Sequence, residues 1–366
     1  MTILVSIVVF IIVIVVLILV HEVGHFVTAK TSGVGVEEFG LGFPPRLLTI
    51  KRGETLYSFN AIPVGGFVKM VGEEDPNLPR SLASKSIGTR LLILSAGSLM
   101  NLLLPLLLFS ISLMIPHNTL VGQVMVLEVV PDSPAAIAGM NVGDTILRVS
   151  DKPVDNHADV LRYVQLHLGN EIVISVKHSD ATTENVKLIP RWNPPDDQGA
   201  IGVVTSTSDA TVDRQSEPFW RAIPMGVETC IETFILVKNG IVSIIIGVIT
   251  AEGPVEGAAE IPANVIGPAG MAQVTGKVVK AGISPLLEFA AFISINLGII
   301  NLFPLPALDG GRIAFVLLEA VRRGKRIASK TEGLIHLIGF ALLIAFFMAI
   351  TYQDIMRIVT GESIIP

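Results

Sequence analysis

Charged residues are scarce in this sequence. Asp, Glu, Lys and Arg make up 16% of its 366 residues, whereas hydrophobic residues make up 51% and the mean hydropathy is +0.66. That balance is far too apolar for an ordinary soluble protein and indicates contact with a lipid bilayer. The net charge is −6 and the 26 Lys and Arg form no basic stripe, which argues against nucleic acid as a partner.

Cysteine is almost absent as well. Cys230 is the single one, which excludes an internal disulfide and a zinc cluster of several cysteines.

The N-terminus also lacks what a cleaved signal peptide needs. It has no basic n-region, its apolar stretch is longer than an h-region, and no A-x-A-like cleavage site follows. The first apolar run is therefore predicted to remain in the protein as a membrane helix.

What the sequence does contain is several apolar runs close to the roughly 20 residues that cross a bilayer as a helix. Four of them predict transmembrane helices: residues 3–27, 90–115, 283–303 and 333–353. Residues 218–250 are apolar too, but they include Glu228, Glu232 and Lys238. They are predicted to form an amphipathic surface helix or a re-entrant segment, with a fifth span as the alternative. The predicted fold class is a polytopic α-helical membrane protein with about four transmembrane helices.

The segments between the spans predict further structure. Leu47–Val71 alternates and is rich in Gly, which is typical of membrane-associated β-hairpins. Residues 120–190 hold strand-like runs and one helical run, and PDSPAAIAGMNVGDTILRVSDKPV resembles a PDZ domain, which binds extended peptides at a sheet edge. A generic α+β module is the alternative.

The predicted divisions are 1–115 with two spans, 116–200 as the PDZ-like domain, 201–280 as a linker with the amphipathic helix, and 281–366 with two more spans.

Loop charges predict the side of the membrane on which each segment lies. Residues 28–90 carry eight Lys and Arg and residues 312–330 carry six, whereas residues 116–217 carry seven against fourteen Asp and Glu. Short basic segments beside spans stay in the cytosol. The PDZ-like domain and both termini are then predicted to lie outside, an arrangement that four spans satisfy and five do not.

The first apolar run ends in a cluster of ionisable residues. Residues 3–20 contain no polar side chain except Ser6, and His21, Glu22 and His25 follow at once as H-E-x-x-H. On a helix, residues four apart share a face, and Glu22 stands beside His25. Two neutral imidazoles at this spacing would hold Zn²⁺ while the carboxylate takes a proton from water. Interfacial polar residues at the end of a span are the alternative, but ionisable groups at membrane depth favour the functional interpretation.

A catalytic zinc ion usually has three protein ligands, and the third must come from another segment. The best candidate is Asp309, in INLGIINLFPLPALDGGRI at the end of the third span. Pro304 and Pro306 prevent a regular helix there, and Gly310 and Gly311 permit close backbone approach. By itself Asp309 would be interpreted as the N-cap of the following helix. Combined with H-E-x-x-H in the same chain, it is predicted to be the third ligand.

Together these motifs resemble those of the site-2 proteases, a family of intramembrane zinc metalloproteases, and in particular its bacterial regulator-of-sigma-E protease branch. In that family H-E-x-x-H pairs with N-x-x-P-x-P-x-L-D-G-G, which is complete here from Asn301 to Gly311. A G-x-x-x-N element on the second span also matches, as Gly97 and Asn101. The resemblance covers essentially the whole chain. One PDZ-like unit is evident, whereas some members of the branch carry two.

The resemblance implies a role for each motif residue. The metal ligands would be His21, His25 and Asp309. Glu22 would be the catalytic general base and acid. The substrate-binding residues would be Asn301, Pro304 and Pro306. For Asn301, a hydrogen bond between helices is the alternative.

The resemblance also implies a function. The protein would hydrolyse peptide bonds inside the bacterial inner membrane, with its active site towards the cytosol. Its substrates would be single-span membrane proteins already cut by a site-1 protease, such as anti-sigma factors or signal-peptide remnants. Two other classes stay open: a catalytically inactive, membrane-tethered PDZ scaffold, and a zinc hydrolase that acts on lipid-linked substrates.

Overall fold

The apolar runs form long helices, and the segments between them form two sheets. The computed structural model describes residues 3–73, 75–195, 198–250 and 266–360. In chain order the elements are α1 (Ile3–Thr31), β1 (Val36–Arg52), β2 (Thr55–Met70), α2 (Ile87–Met114), β3 (His117–Val129), α3 (Pro134–Ile137), β4 (Thr145–Val149), β5 (Lys152–Pro153), α4 (His157–Leu166), β6 (Ile172–Lys177), β7 (Thr183–Leu188), β8 (Val203–Gln215), α5 (Phe219–Thr250), α6 (Pro268–Ala281), α7 (Ile283–Leu302), α8 (Asp309–Val321) and α9 (Ser329–Thr360). The chain divides into two units, Met1–Ser112 with Gly257–Pro366, and Leu113–Glu256.

The described helices include one more candidate span than the four predicted. Those that are long and apolar enough to cross a membrane are Leu4–Thr31, Ile87–Met114, Phe219–Gly247, Ile283–Leu302 and Lys330–Thr360. Four of these overlap the predicted spans, and α1 and α9 run several residues beyond them because no helix breaker interrupts their ends. The additional candidate is α5, for which a span was the alternative prediction. The protein is a polytopic membrane protein.

In the first unit, a buried apolar cluster holds the motif-bearing end of α1 in place. Its members come from α1, α2, α8, both strands and the loops before β1 and after β2: Ala29, Val34, Val36, Met70, Leu82, Ile93, Leu94 and Val316. Helices α1 and α2 approach closely beside this cluster. A Cβ at Gly24 would lie 2.5 Å from the carbonyl oxygen of Ala96, so glycine is needed there for the two backbones to meet.

Strands β1 and β2 form the predicted hairpin, which is longer than Leu47–Val71. The distal residues 46–52 of β1 pair with residues 55–60 of β2. Residues 38–41 of β1 then lie between two parts of β2, pairing with residues 56–59 on one side and 66–69 on the other. The last segment of β2 is therefore at an outer edge of the sheet, with no further strand beyond it in the described part of the chain.

The second unit is an α+β module. Its sheet has the strand order β7-β6-β4-β3-β8, with β5 paired to β4. The predicted helical run forms α4, and Asn156 and Asp159 cap its start by exchanging side-chain and backbone hydrogen bonds. Most of the core comes from buried residues of β3, β4, β6 and β7 and from one face of α4: Val124, Val126, Ile146, Val149, Ile172, Ile174, Val176, Val186, Leu188, Val160 and Val164.

Helix α5 turns its polar residues towards α4 of the same unit. Glu232 lies 2.6 Å from Arg162 and 3.2 Å from Lys152, measured between carboxylate oxygens and side-chain nitrogens. Lys152 also pairs with Glu228. About two turns further on, the Asn239 amide donates to the carbonyl of Gln165 at 2.7 Å. Glu228, Glu232 and Asn239, which interrupt this apolar run, therefore bind residues of the α+β module.

A histidine of this unit makes its stability depend on pH. His178 Nδ1 lies 2.8 Å from Asp144 and its Nε2 lies 3.3 Å from Glu184. Hydrogen bonds to these carboxylates, chiefly to Asp144, raise the pKa of His178 above its usual 6.5. A raised folded-state pKa stabilises the fold fully below the unfolded-state pKa, and this stabilisation is lost as pH rises through the folded-state value.

We therefore expect β6 and β7 to open more readily as pH rises above 6.5, and His178→Gln to remove that trend. Amide hydrogen exchange of the intact protein, compared between wild type and variant at each pH, measures it. An equal pH trend in both proteins would contradict the assignment to His178.

In the first unit, the start of α6 is capped by a distant carboxylate. Asp354 of α9 is fully buried, and its two oxygens accept hydrogen bonds from the backbone N–H of Gly270 at 2.8 Å and of Gly267 at 3.2 Å. These are unpaired donors of the first helical turn. Asp354 thus ties α9 to α6.

Candidate metal centre

The two histidines of H-E-x-x-H meet Asp309 at the end of α1. His21 Nε2 lies 3.0 Å from Asp309 Oδ2, and His25 Nε2 lies 3.1 Å from the same oxygen. The two imidazole Nε2 atoms are 3.2 Å apart. Both histidines are buried, with 8% and 6% of their surface exposed. The fold thus brings together three side chains, one of which is 284 residues from the next along the chain.

This triangle of atoms fits a zinc ion. Zinc binds imidazole nitrogen and carboxylate oxygen at about 2.0–2.2 Å in tetrahedral geometry, so two of its ligand atoms lie roughly 3.3 Å apart. The three observed separations, 3.0, 3.1 and 3.2 Å, are close to that value. Among the described residues, this is the one group of three or more His, Cys, Asp or Glu with converging ligand atoms.

The neighbouring helix α2 leaves room for this group. Gly97 faces the two imidazoles, and a Cβ at this position would collide with the Nε2 atoms of His25 and His21. His25 is oriented by a hydrogen bond of 2.8 Å between its Nδ1 and the carbonyl oxygen of Ile93. That carbonyl is an acceptor, so Nδ1 carries the proton and Nε2 is left to bind a metal.

The alternative for Asp309, an N-cap, does not match its position. The N-cap of α8 is Leu308, no side chain caps that helix, and Asp309 is its first residue. The chain turns sharply to reach this point. A Cβ at Gly310 would collide with the carbonyl oxygen of Phe303, and one at Gly311 with that of Leu305. The glycine pair therefore lets the helix start close to the preceding loop and directs the Asp309 carboxylate towards the histidines.

A cavity of about 520 Å³ opens at the metal-binding residues. Glu22 and Asn301 line it together with His21, His25 and Asp309. Its other lining residues come from the hairpin, α2, the loop before α8 and α8 itself: Phe43, Gly66, Phe67, Val68, Lys69, Met70, Glu73, Leu94, Ala307, Leu308 and Arg312. Strand β2 passes close to Glu22. A Cβ added to Gly66 of this strand would lie only 2.9 Å from Glu22 Cγ.

The predicted substrate residues are not all at this cavity. Asn301 lines it and makes no side-chain hydrogen bond to another described residue, so no interhelical bond occupies its amide. Pro304 and Pro306 are not among the lining residues. Pro304 is exposed, and Pro306 lies against α9, where a Cβ at Gly339 would collide with its ring. In this loop the two prolines shape the turn before α8.

Three charged residues of the cavity, Lys69, Glu73 and Arg312, were not predicted from the sequence. Arg312 Nη1 donates to Glu73 Oε2 at 2.8 Å, and Glu73 Oε1 accepts from the backbone N–H of Met70 at 3.1 Å. This pair connects α8 to the end of β2. The spacing of Arg312, three residues after Asp309 on a helix, was a signal for a shared face. Nothing local marks Glu73 as its partner.

Comparison with known proteins decides the family. The model of peptidase family M50 matches residues 9–346. The chain is a member of this family, the site-2 proteases. The prediction from the sequence motifs, that this chain resembles the site-2 proteases, is confirmed.

Relatives in several bacteria agree with this assignment. A protein of Clostridium acetobutylicum named as a zinc metalloprotease is 34% identical over 92% of this chain and 94% of its own. Zinc metalloprotease RasP of Oceanobacillus iheyensis is 28% identical, and regulator of sigma-W protease RasP of Bacillus subtilis is 25% identical, each over 96% of this chain and 99% of its own. This site-2 protease is therefore a zinc metallopeptidase, and the predicted Zn²⁺ cofactor and enzyme class are confirmed.

Proposed function

We propose that this site-2 protease cleaves peptide bonds within the transmembrane segments of single-span proteins. His21, His25 and Asp309 would hold the zinc ion, and Glu22 would act as general base and acid. The observation that carries the proposal is the convergence of the three ligand atoms, 3.0–3.2 Å apart, at a cavity that Glu22 also lines.

The residues around the metal divide the chemistry among them. Bound zinc supplies Lewis acidity, which activates water and polarises the scissile carbonyl. Glu22 takes the proton from the attacking water and returns it to the leaving amine. Asn301 has an amide that is free of side-chain partners in the described chain and lines the cavity. It would donate a hydrogen bond to the carbonyl oxygen as negative charge develops there.

The edge of β2 would hold the substrate in an extended form. A transmembrane helix hides its carbonyls in intrahelical hydrogen bonds, so it must unwind before attack. Residues 66–70 pair with β1 on one side only and line the cavity. Their outer edge offers backbone donors and acceptors to an added strand. This supports an extended peptide lying between β2 and the metal.

The family and the name of one relative support a substrate class. One relative is named a regulator of a sigma factor, which supports anti-sigma factors as substrates; signal-peptide remnants are a second group of single-span substrates. We propose that a site-1 protease trims them first. The 116–200 PDZ-like domain would exclude uncut ectodomains outside the inner membrane, while the active site faces the cytosol.

Substrate cleavage is tested by mass spectrometry of membrane peptides. Cells that carry Glu22→Gln should accumulate single-span fragments that wild-type cells remove, because only the proton-transfer step is lost. Glu128→Gln, which changes an exposed carboxylate of β3, is the matched control and should resemble wild type. Identical peptide profiles in all three strains would leave the protein a membrane-tethered scaffold without proteolytic activity.

We further propose four spans, with α5 as an amphipathic helix on the membrane surface within the 201–280 segment. The contacts of Glu232 and Asn239 with α4 support this, since a helix that binds a polar module over about two turns cannot also be surrounded by lipid there. The basic segments 28–90 and 312–330 then share the cytosolic side. The divisions 1–115 and 281–366 each contribute two spans.

Cysteine labelling tests this topology on a Cys230→Ser background. Lys51→Cys and Lys325→Cys should react only from the cytosolic side, and Asp180→Cys only from outside; all three positions are exposed. If α5 crosses the membrane, the chain reverses after it and Lys325→Cys is labelled from the side opposite to Lys51→Cys. That result would overturn the four-span proposal.

A further inference from the structure

The second nitrogen of His21 faces a buried amide of α2. Asn101 Nδ2 lies 3.4 Å from His21 Nδ1, and Asn101 is 1% exposed. We infer that Asn101 is a positioning residue whose side-chain oxygen accepts a hydrogen bond from His21 Nδ1–H and so directs Nε2 at the metal. This inference rests on the proposed metal centre and adds to it the residue that orients one ligand.

The donors and acceptors at this contact decide its orientation. His21 Nε2 is the nitrogen that converges with His25 and Asp309. When Nε2 binds a metal, Nδ1 carries the proton of the neutral imidazole and needs an acceptor. The Asn101 oxygen, Oδ1, is buried and has no hydrogen-bond partner in the described part of the protein. A half-turn of the amide brings Oδ1 to His21 Nδ1 and satisfies both atoms.

A single stripe of α2 would then serve both histidines. Ile93, Gly97 and Asn101 are four residues apart and share one face of the helix. The carbonyl of Ile93 orients His25 at 2.8 Å, Gly97 leaves space for the imidazoles, and Asn101 meets His21. Each metal-binding histidine therefore has one hydrogen-bond acceptor from α2 at its second ring nitrogen. Histidines that bind zinc generally have such an orienting partner.

The packing of α2 against α7 does not need the Asn101 amide. That contact is made by the backbone, because the carbonyl oxygen of Asn101 accepts from Ser294 Oγ at 2.8 Å. The side chain and the backbone of Asn101 thus serve different neighbours. Substituting the amide tests the positioning role while the link between the helices stays.

The experiment measures zinc affinity of the purified full-length protein by competition with a chelator, together with the absorption spectrum of the Co²⁺-loaded protein. Asn101→Leu keeps the branching of the side chain but removes the acceptor, and should weaken zinc binding about 10–100-fold and change the Co²⁺ spectrum. Asn101→Asp keeps an acceptor and should retain wild-type affinity. Ser98→Ala removes another buried polar atom of α2 that has no partner among the described residues, and should change neither.

Unchanged zinc affinity in a folded Asn101→Leu protein would overturn the inference. If that variant does not fold, Asn101→Asp decides alone: weak zinc binding by folded Asn101→Asp contradicts the role of the acceptor. An equal loss in Ser98→Ala would make the effect one of general packing and overturn it too. Failure of the wild-type protein to bind zinc would overturn the proposed centre itself, which separates the two proposals.

Discussion

Purified Glu22→Gln protein is expected to bind zinc as the wild type does and to cleave a model transmembrane peptide about 10²–10⁴-fold more slowly. Glu22 lines the cavity but is not one of the three converging ligands. The amide of Gln has nearly the same shape as the carboxylate but cannot accept a proton. The metal centre therefore stays and the proton transfer is lost.

Two measurements separate this role from others: the zinc content per protein and the initial rate of peptide cleavage. Glu128→Gln again serves as the control, since this exposed residue of β3 should leave both unchanged. Near-normal turnover in Glu22→Gln would remove Glu22 from the mechanism. Loss of zinc from the same variant would instead make it a ligand.

The second large effect is expected from Asp309→Asn. This variant keeps the shape of the side chain but removes the negative oxygen that lies 3.0 and 3.1 Å from the two Nε2 atoms. Two neutral imidazoles then hold the metal with a weak neutral third ligand. We expect most of the bound zinc to be lost during purification and cleavage to fall with it, while the protein stays folded.

Asp354→Asn is the matched control for Asp309→Asn. Asp354 is also a buried carboxylate, but it accepts from the backbone N–H groups that begin α6. Asn keeps one of these two accepting oxygens, and Asp354 is not one of the three converging ligands, so this variant should keep its zinc and its activity. Chelator-competition affinities for both variants are the test. Wild-type zinc affinity in Asp309→Asn would leave the third ligand unidentified.

The parts of the protein that were predictable from sequence are those set by local periodicity. The four predicted spans, the hairpin and α4 follow from runs of apolar or alternating residues. The spacing of His21 and His25 placed them on one helix face because four residues make about one turn. For α5 the local pattern was ambiguous, since its acidic residues indicate a surface only when their partners Lys152 and Arg162 are known.

The candidate site could be predicted only in part. His21, Glu22, His25 and Asn301 line one cavity as expected. Pro304 and Pro306 do not, because a proline acts here by restricting the backbone of the loop. Arg312 and Glu73 were missed as a pair, since 239 residues separate them and no motif links a hairpin end to a helix start.

The sequence by itself determined that the chain is polytopic, that H-E-x-x-H ends its first helix and that this motif is typical of zinc ligation. These properties depend on neighbours within a few turns. Only the tertiary structure decided that Asp309 faces the histidines instead of capping α8, and that Asn101 lies behind His21. Both depend on where α1, α2 and α8 cross. Those crossings are set by close contacts at Gly24, Gly97 and the Gly310–Gly311 pair. At each of these glycines a side chain would collide with an opposing backbone or imidazole, and the sequence alone does not show which groups stand opposite.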